Sequence, residues 1–400
     1  LTTKKLNLTR QIEAPLSYVF YLFNNKSGWS EWFSVKTYGY AMKDAVMRVY
    51  HETDGDFLFH FTAEEPEERI AFDLTEMKSQ EASKVEVSFS EEDDQVTISL
   101  VHSELPAERV EFFEKLWGKG LDNLKSVAES GKDLRTWERP FLGVLVELWI
   151  TEELAEEKSL PTTHGMQLSG VIEGRGAEQA GLQKDDIIVR IADVELHNFN
   201  QFLEMLADMK AGDVVDLAYY RGDERHEIEL TLSSYPVAEP PATAHDYAEK
   251  IEKFHGSVMK SLDALQEEFN EAQFDFRPGA GEWSAKETIA HLISTEADAQ
   301  VWVSTLVAGC EEYICGSSHA VRIKSLLALY PTAEQLLDLL ARRQRETVAL
   351  IEELPAEFVS RKGSFARLAT HLNLDLSKHY KEHIHQIKES LAQAENVRVS

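Results

Sequence analysis

The sequence predicts a multidomain α+β protein: an α+β domain whose sheet wraps one long helix, then a β-rich domain, then an all-α four-helix bundle. Three observations predict it. At 400 residues the chain exceeds the roughly 100–200 residues of one ordinary domain. Its hydrophobic period changes twice, from alternating segments closed by one amphipathic stretch, to short glycine-punctuated β runs, to long helical stripes. Two breaks accompany those changes: Gly131 to Pro140, and the spacer Ser233-Ser-Tyr-Pro-Val-Ala-Glu-Pro-Pro-Ala-Thr-Ala244, whose prolines make it semi-rigid. The expected domains are 1–135, 136–234 and 245–400.

Composition narrows the function classes. The formal net charge is -29, spread over all three segments, so no basic surface is available to neutralise phosphate, and anionic lipid would repel the chain. Nucleic acid and membrane are therefore not expected partners. The longest apolar run, Phe141 to Ile150, contains Glu147 and falls well short of the ~18–20 residues that span a bilayer. Only two cysteines occur, Cys310 and Cys315, which make neither a disulfide framework nor a Cys-x-x-Cys pair; they read as ordinary intracellular thiols. With no signal-peptide pattern after Leu1, a cytoplasmic location is the expectation.

In the first segment Leu6 to Ile12 alternates, a short helix follows from Pro15 to Phe23, and Val85-Glu-Val-Ser-Phe89 and Val96-Thr-Ile-Ser-Leu100 have the period of half-buried antiparallel strands. The acidic tip Glu91-Glu-Asp-Asp94 reads as their hairpin turn. From Ala107 to Ser130, Val110, Phe113, Leu116, Trp117, Leu121 and Leu124 recur at three- and four-residue steps, the stripe of an amphipathic helix. Ile12-Glu-Ala-Pro15 with Val19-Phe20, then Trp29 and Trp32, then His102-Ser-Glu-Leu105 before the Trp117 helix, resembles the START-like helix-grip superfamily, in the branch related to activators of the heat-shock-protein ATPase. The resemblance implies an apolar cavity under the long helix, hence a small apolar ligand, and no shared catalytic residues. On their own, Trp29, Trp32 and Trp117 read as core.

The middle segment holds β runs at Phe141–Val146, Leu168–Ile172, Asp186–Ile191, Val214–Tyr220 and His226–Leu232, with a helix from about Phe199 to Met209 capped by Asn198 with Gln201 at N3. Arg221-Gly-Asp-Glu224 is a hairpin turn. Arg139-Pro-Phe-Leu-Gly-Val144, Gly174-Arg-Gly-Ala-Glu-Gln-Ala-Gly-Leu182 and Gln183-Lys-Asp-Asp-Ile-Ile188 together resemble a PDZ domain of the kind attached to HtrA-type proteases. Asp185 and Asp193 stand where that family usually has glycine; aspartate tolerates a left-handed backbone, so the turns can survive. The resemblance implies capture of a protein C-terminal peptide by strand addition, with the Leu142-Gly143-Val144 loop holding the carboxylate. The acidic stretch Thr151 to Lys158 is expected near that groove, disfavouring acidic peptides. No protease nucleophile segment accompanies it.

From Asp246 onward the stripes are helical: Tyr247 to about Phe269, a second helix from the capping box Ser284-Ala-Lys-Glu287, a third from Thr332-Ala-Glu-Gln335, and a fourth from Ser364 to about Ala392. An antiparallel bundle buries four such stripes economically. His379 and His383 are i,i+4, with Cβ atoms about 5–6 Å apart on one face, so both can reach a metal at ~2.0–2.1 Å. His385 lies roughly 120° around the helix. Glu382 is not placed as in a His-Glu-x-x-His protease. Gly281-Glu-Trp-Ser-Ala-Lys-Glu-Thr-Ile-Ala-His-Leu292 and His379-Tyr-Lys-Glu-His-Ile-His-Gln-Ile387 resemble the DinB-like metalloprotein superfamily, which implies His291, His379 and His383 as ligands of a divalent transition metal, zinc or nickel. Three imidazoles leave an open coordination position.

Two functions follow as expectations. One is a cytoplasmic adaptor or sensor combining an apolar-ligand cavity, a peptide-binding PDZ module and a three-histidine metal site. The alternative is a metal-dependent transferase or isomerase that uses a low-molecular-weight thiol, as several members of the DinB-like superfamily do, with accessory domains recruiting substrate.

Overall fold

A computed structural model describes residues 3–51, 55–207, 209–310 and 319–399. Contacts divide the chain into two compact units, Leu1–Asp133 with Ala238–Ser400, and Leu134–Val237. The first and third sequence segments thus pack into one unit. No helix among the described residues is long and apolar enough to cross a membrane.

In the first unit, strands β1 (Thr3–Ile12), β2 (Lys36–Gly39), β3 (Val46–His51), β4 (Gly55–Glu65), β5 (Arg69–Glu76), β6 (Ala82–Glu92) and β7 (Gln95–Pro106) form one antiparallel sheet in the order β1-β7-β6-β5-β4-β3-β2. The acidic hairpin turn falls at Asp93 and Asp94, both left-handed at φ 50° and 61°, a conformation aspartate accepts more readily than most side chains. Helices α1 (Leu16–Asn24) and α2 (Lys26–Trp32) separate β1 from β2, and α3 (Val110–Ser130) closes on the sheet, ending at the left-handed Gly131.

Aromatic rings pack against one another beneath α3. Trp29 and Trp32 stack at 5.0 Å between centroids, Phe33 stacks on Trp117 at 4.9 Å, and Phe59 on Phe72 at 4.5 Å. Each indole is also satisfied: Trp29 donates to the Phe23 carbonyl, Trp32 to the Leu22 carbonyl, and Trp117 to His102 Nδ1 at 3.1 Å. Because Nδ1 accepts, the His102 proton sits on Nε2 and is donated to Ser83 Oγ at 2.7 Å. Burial lowers the His102 pKa to about 3. The unfolded histidine takes a proton near pH 6.5, so between about 6.5 and 3 the unfolded state binds more protons and folding loses stability as pH falls. A slope of about 1.4 kcal/mol per pH unit is expected from this one group. Denaturant titrations at pH 7 and 5 should show the loss, and His102→Phe should flatten it.

The rest of the first unit is helical: α6 (Ala244–Glu268), α7 (Ala285–Val307), α8 (His319–Leu329), α9 (Ala333–Glu352), α10 (Lys362–Thr370) and α11 (Ser377–Val399), while α4 (Glu152–Lys158) and α5 (Phe199–Ala207) belong to the second unit. Both capping boxes form: Ser284 with Glu287, and Thr332 with Gln335. The fourth stripe is not one regular helix. His371–Leu376 is π-helical between α10 and α11, an irregularity often found at functional sites. Helix α8 adds to the four expected ones.

This helical part meets the sheet domain through a buried polar cluster. Glu31, 2% exposed, accepts from Tyr18 Oη at 2.9 Å and from Ser364 Oγ, while the Gly363 amide donates to Tyr18 Oη at 2.8 Å. The Arg361 guanidinium lies 4.2 Å from the Tyr21 ring centre.

The second unit is a twisted antiparallel sheet of β8 (Val144–Trp149), β9 (Met166–Val171), β10 (Ile187–Ile191), β11 (Val214–Arg221) and β12 (Glu224–Thr231) in the order β12-β11-β10-β9-β8, with Val194–Glu195 pairing β10 off that path. Helix α5 (Phe199–Ala207) follows Asn198, whose side chain accepts from the Gln201 amide at 3.0 Å. The Asp185 turn is left-handed at φ 71°, whereas in the next turn the left-handed residue is Ala192, at 48°, in place of Asp193. The acidic stretch folds as α4 (Glu152–Lys158), capped by Thr151. It packs on Ile187, Val189 and Ala218, whereas Ile188 and Leu217 face the α5 side. The acidic helix therefore lies on the sheet face opposite α5, a correction to its expected place beside the groove, because strand alternation sends its partners to the other face.

Candidate functional site

Helix α7 brings His291 and helix α11 brings His379 and His383 to one place. Their ligand atoms all lie within 4.8 Å of one another. His291 is buried and the other two are half-buried. The Nε2 atoms of His291 and His379 are 3.0 Å apart, and Thr295 Oγ1 stands 3.3 Å from His379 Nε2. His383 Nδ1 pairs with Gln386 Oε1 at 2.8 Å, which orients the ring and leaves its other nitrogen for the cluster. Trp283 lies 4.9 Å from the His291 ring and 6.2 Å from the His383 ring, centroid to centroid, walling one side.

The three imidazoles suit a cation. Burial, then the neighbouring His383 and His379, lower the His291 pKa to about 3, and burial followed by His383 lowers His379. Both are thus held in the neutral form that metal ligation requires. His291 Nδ1 is buried and meets no hydrogen-bond partner. By contrast His385 is exposed and pairs with Glu389 at 3.2 Å, on the different face that its spacing implies.

The register of α11 against α7 is set one residue away. Tyr380, adjacent to His379 but turned into the core, donates to Glu296 Oε1 at 2.7 Å, and Thr347 Oγ1 donates to Glu296 Oε2 at 2.6 Å. His255 Nε2 stands 3.1 Å from Glu296, close enough to pair electrostatically though not aligned as a hydrogen bond. Burial alone would raise the Glu296 pKa, but His255, Thr347 and Tyr380 outweigh it and leave it lowered. A fully buried anion satisfied by three helices resists rotation of any one of them.

Beside the histidines opens a cavity of about 530 Å³, lined by His291, His379, His319, Trp302, His371 and Asp298 among others. The His371 ring sits 4.3 Å from the Trp302 ring, centroid to centroid. Sequence reasoning missed His319, Asp298 and His371 as site residues. Membership of the histidine-rich segment was their one available signal. Cys310 is exposed, and Cys315 lies outside the described residues.

In the second unit Leu142 is buried, its carbonyl accepting from the Ala177 amide at 3.0 Å, and Gly143 is left-handed at φ 83°. A Cβ on Gly143 would run into the Arg175 side chain. Val144 opens β8, the edge strand, on which Leu145 and Val146 are exposed, and α5 exposes Phe199 and Leu203.

Family models match three stretches of this chain: the DinB superfamily over residues 257–387, the PDZ domain over 153–232, and the activator of Hsp90 ATPase homolog 1-like protein over 13–129. Three family modules share this one chain. All three clustered histidines lie inside the DinB match, whereas the Leu142–Val144 loop precedes the PDZ match. A probable periplasmic serine endoprotease DegP-like protein of Marinomonas sp. strain MWYL1 is 34% identical over 161 residues, 36% of this chain and 32% of its own length. Its counterpart in Chlamydia trachomatis is 27% identical over 124 residues, 31% of this chain and 25% of its own. The chain spans at most about a third of the length of these curated relatives. Similar solved structures include the Aha1 dimer of Colwellia psychrerythraea, at 16% identity, 32% of this chain, 98% of that chain and a TM-score of 0.30. Another is DynU16 of the dynemicin biosynthetic locus, at 15% identity, 57% of this chain, 86% of that chain and a TM-score of 0.31.

Proposed function

We propose that this chain is a cytoplasmic adaptor or sensor whose DinB module holds a divalent transition metal, zinc or nickel, on His291, His379 and His383, and whose PDZ module captures a protein C-terminal peptide. The observation that carries the metal reading is the convergence of three imidazoles, one buried and two half-buried, from two helices within 4.8 Å. Imidazole donors suit zinc and nickel, and a three-histidine set keeps a position open toward the adjoining cavity. A metal there would favour the deprotonated form of a bound water or thiol. The chain's own groups do the rest: Gln386 orients His383, Tyr380 and Glu296 fix helix rotation, and Trp283 excludes water from one side.

For the peptide, the exposed edge of β8 offers backbone pairing, Val146, Phe199 and Leu203 offer an apolar groove, and Gly143 with Arg175 beside it suits a terminal carboxylate. Gly143→Val is expected to weaken binding of a peptide with an apolar last residue by roughly tenfold or more, about 1.4 kcal/mol, since it strains a left-handed position and displaces Arg175. Fluorescence titration with free-acid and amidated peptides checks this; equal binding of both forms would sink the carboxylate assignment. A small apolar ligand of the helix-grip module would meet the aromatic rings packed beneath α3.

The cavity favours a second reading, a metal-dependent S-transferase or isomerase using a low-molecular-weight thiol, with space for an electrophile beside the open position. Metal analysis of untagged protein, paired with a thiol-conjugation assay, separates the two. Metal without thiol-dependent turnover supports the sensor, turnover that His379→Ala abolishes along with the metal supports the transferase, and absence of metal removes both.

A further inference from the structure

A fourth imidazole approaches the same cluster. His319, the first residue of α8, has its ring 5.0 Å from that of His291, nearly perpendicular at 71°, and lines the cavity with His291 and His379. Its Nδ1 is buried and meets no hydrogen-bond partner, a condition native structures rarely leave unanswered. The helix start is clamped in place. Arg322, one turn on, reaches both carboxylate oxygens of Asp298 at 2.6 and 2.7 Å and the Ser294 carbonyl at 3.3 Å. Since Ser294 and Asp298 follow His291 on α7 by one and two turns, this fork holds the first turn of α8 beside the metal-ligating face.

We propose that His319 is a fourth protein donor to the metal held by His291, His379 and His383. The inference rests on the three-histidine reading. The His319 donor lies outside the set whose atoms fall within 4.8 Å of one another, so ligation requires its ring to swing toward the cluster. Four imidazoles from three helices then make a closed tetrahedral nitrogen set, the geometry zinc prefers in sites that hold metal without turning over substrate. Engagement of His319 occupies the position that a water or thiol would otherwise take. An exogenous ligand must displace it, so the site senses ligands that bind metal more strongly than one imidazole does.

The test uses the full, untagged chain. Wild-type protein saturated with cobalt(II) is expected to show the intense visible absorption of a four-coordinate centre. His319→Ala should weaken that band as solvent raises the coordination number, and should loosen zinc on the order of 10- to 100-fold, at least the loss typical of removing a supporting group at a metal site. His319→Gln, with a circular-dichroism spectrum matching wild type, guards against a folding defect and should show the same change. Unchanged zinc affinity and cobalt spectrum in both variants, while His379→Ala loses its metal, would overturn the fourth donor and leave the three-histidine site standing. Failure of wild type itself to take up metal would overturn both.

Discussion

Untagged protein carrying His379→Ala or His383→Ala is expected to lose tightly bound divalent metal, while His385→Ala keeps it. The argument is geometric. His379 and His383 share a ligand cluster with His291, and His385, two residues on, is exposed and paired with Glu389. Apparent binding free energies of about 10–16 kcal/mol for four-ligand structural zinc give each donor roughly 3 kcal/mol, about two orders of magnitude in Kd. Competition with a chromophoric chelator reads this directly. His385→Ala serves as the control for general loss of helix α11, since it removes an imidazole from the same two turns without touching the cluster. Equal loss of metal in all three variants would mean that the histidine-rich helix end, and not this constellation, binds the ion. Tyr380→Phe should fall between them, because it keeps every donor but releases the Glu296 bond that fixes their rotation.

Much of this arrangement is legible in the residues themselves. The i,i+4 pair and the two capping boxes are local features, so spacing alone locates them, and alternation along Val85–Phe89 and Val96–Leu100 becomes strands β6 and β7 for the same reason. Helix α8 is less legible, because its stripe of Ile323, Leu326, Leu327 and, just past its end, Tyr330 on the bundle core is blurred by two further apolar residues, Val321 and Leu329, that are 65% and 71% exposed. His319 is hidden with it. The Glu31 cluster is invisible for another reason. An acidic residue between Trp29 and Trp32 reads as the polar side of an amphipathic turn, and nothing nearby announces a partner 333 positions away at Ser364. Long-range polar pairing carries no period, so hydrophobic pattern cannot find it.

That same cluster sets the second large effect. Gly363→Val is expected to destabilise the first unit by about 3–5 kcal/mol, the range for breaking a buried charged network by removing one part of it. A Cβ at position 363 would stand 2.7 Å from Tyr18 Oη and 2.5 Å from Val127 Cγ1, in a spot already closed by the Gly363 amide bond to Tyr18. The clash lies between α10 and the sheet domain, so relief requires the two to part, which takes the Ser364 donor from Glu31 and the Gly363 amide from Tyr18 Oη. Glu31→Gln should cost less, since a neutral amide keeps one acceptor for those hydroxyls and removes the charge that suffers most from losing them. Denaturation followed by tryptophan fluorescence has reporters on both sides: Trp29, Trp32 and Trp117 in the sheet domain, Trp283 and Trp302 in the bundle. In wild type these two parts should melt together, and in Gly363→Val the midpoint should fall and the transition broaden or split. A variant that unfolds at the wild-type midpoint would show that this contact contributes nothing to holding the modules together. Because α10 runs through the π-helical turn into the helix that carries His379 and His383, metal affinity should fall in the same variant, even though residue 363 lies sixteen positions before the nearer ligand.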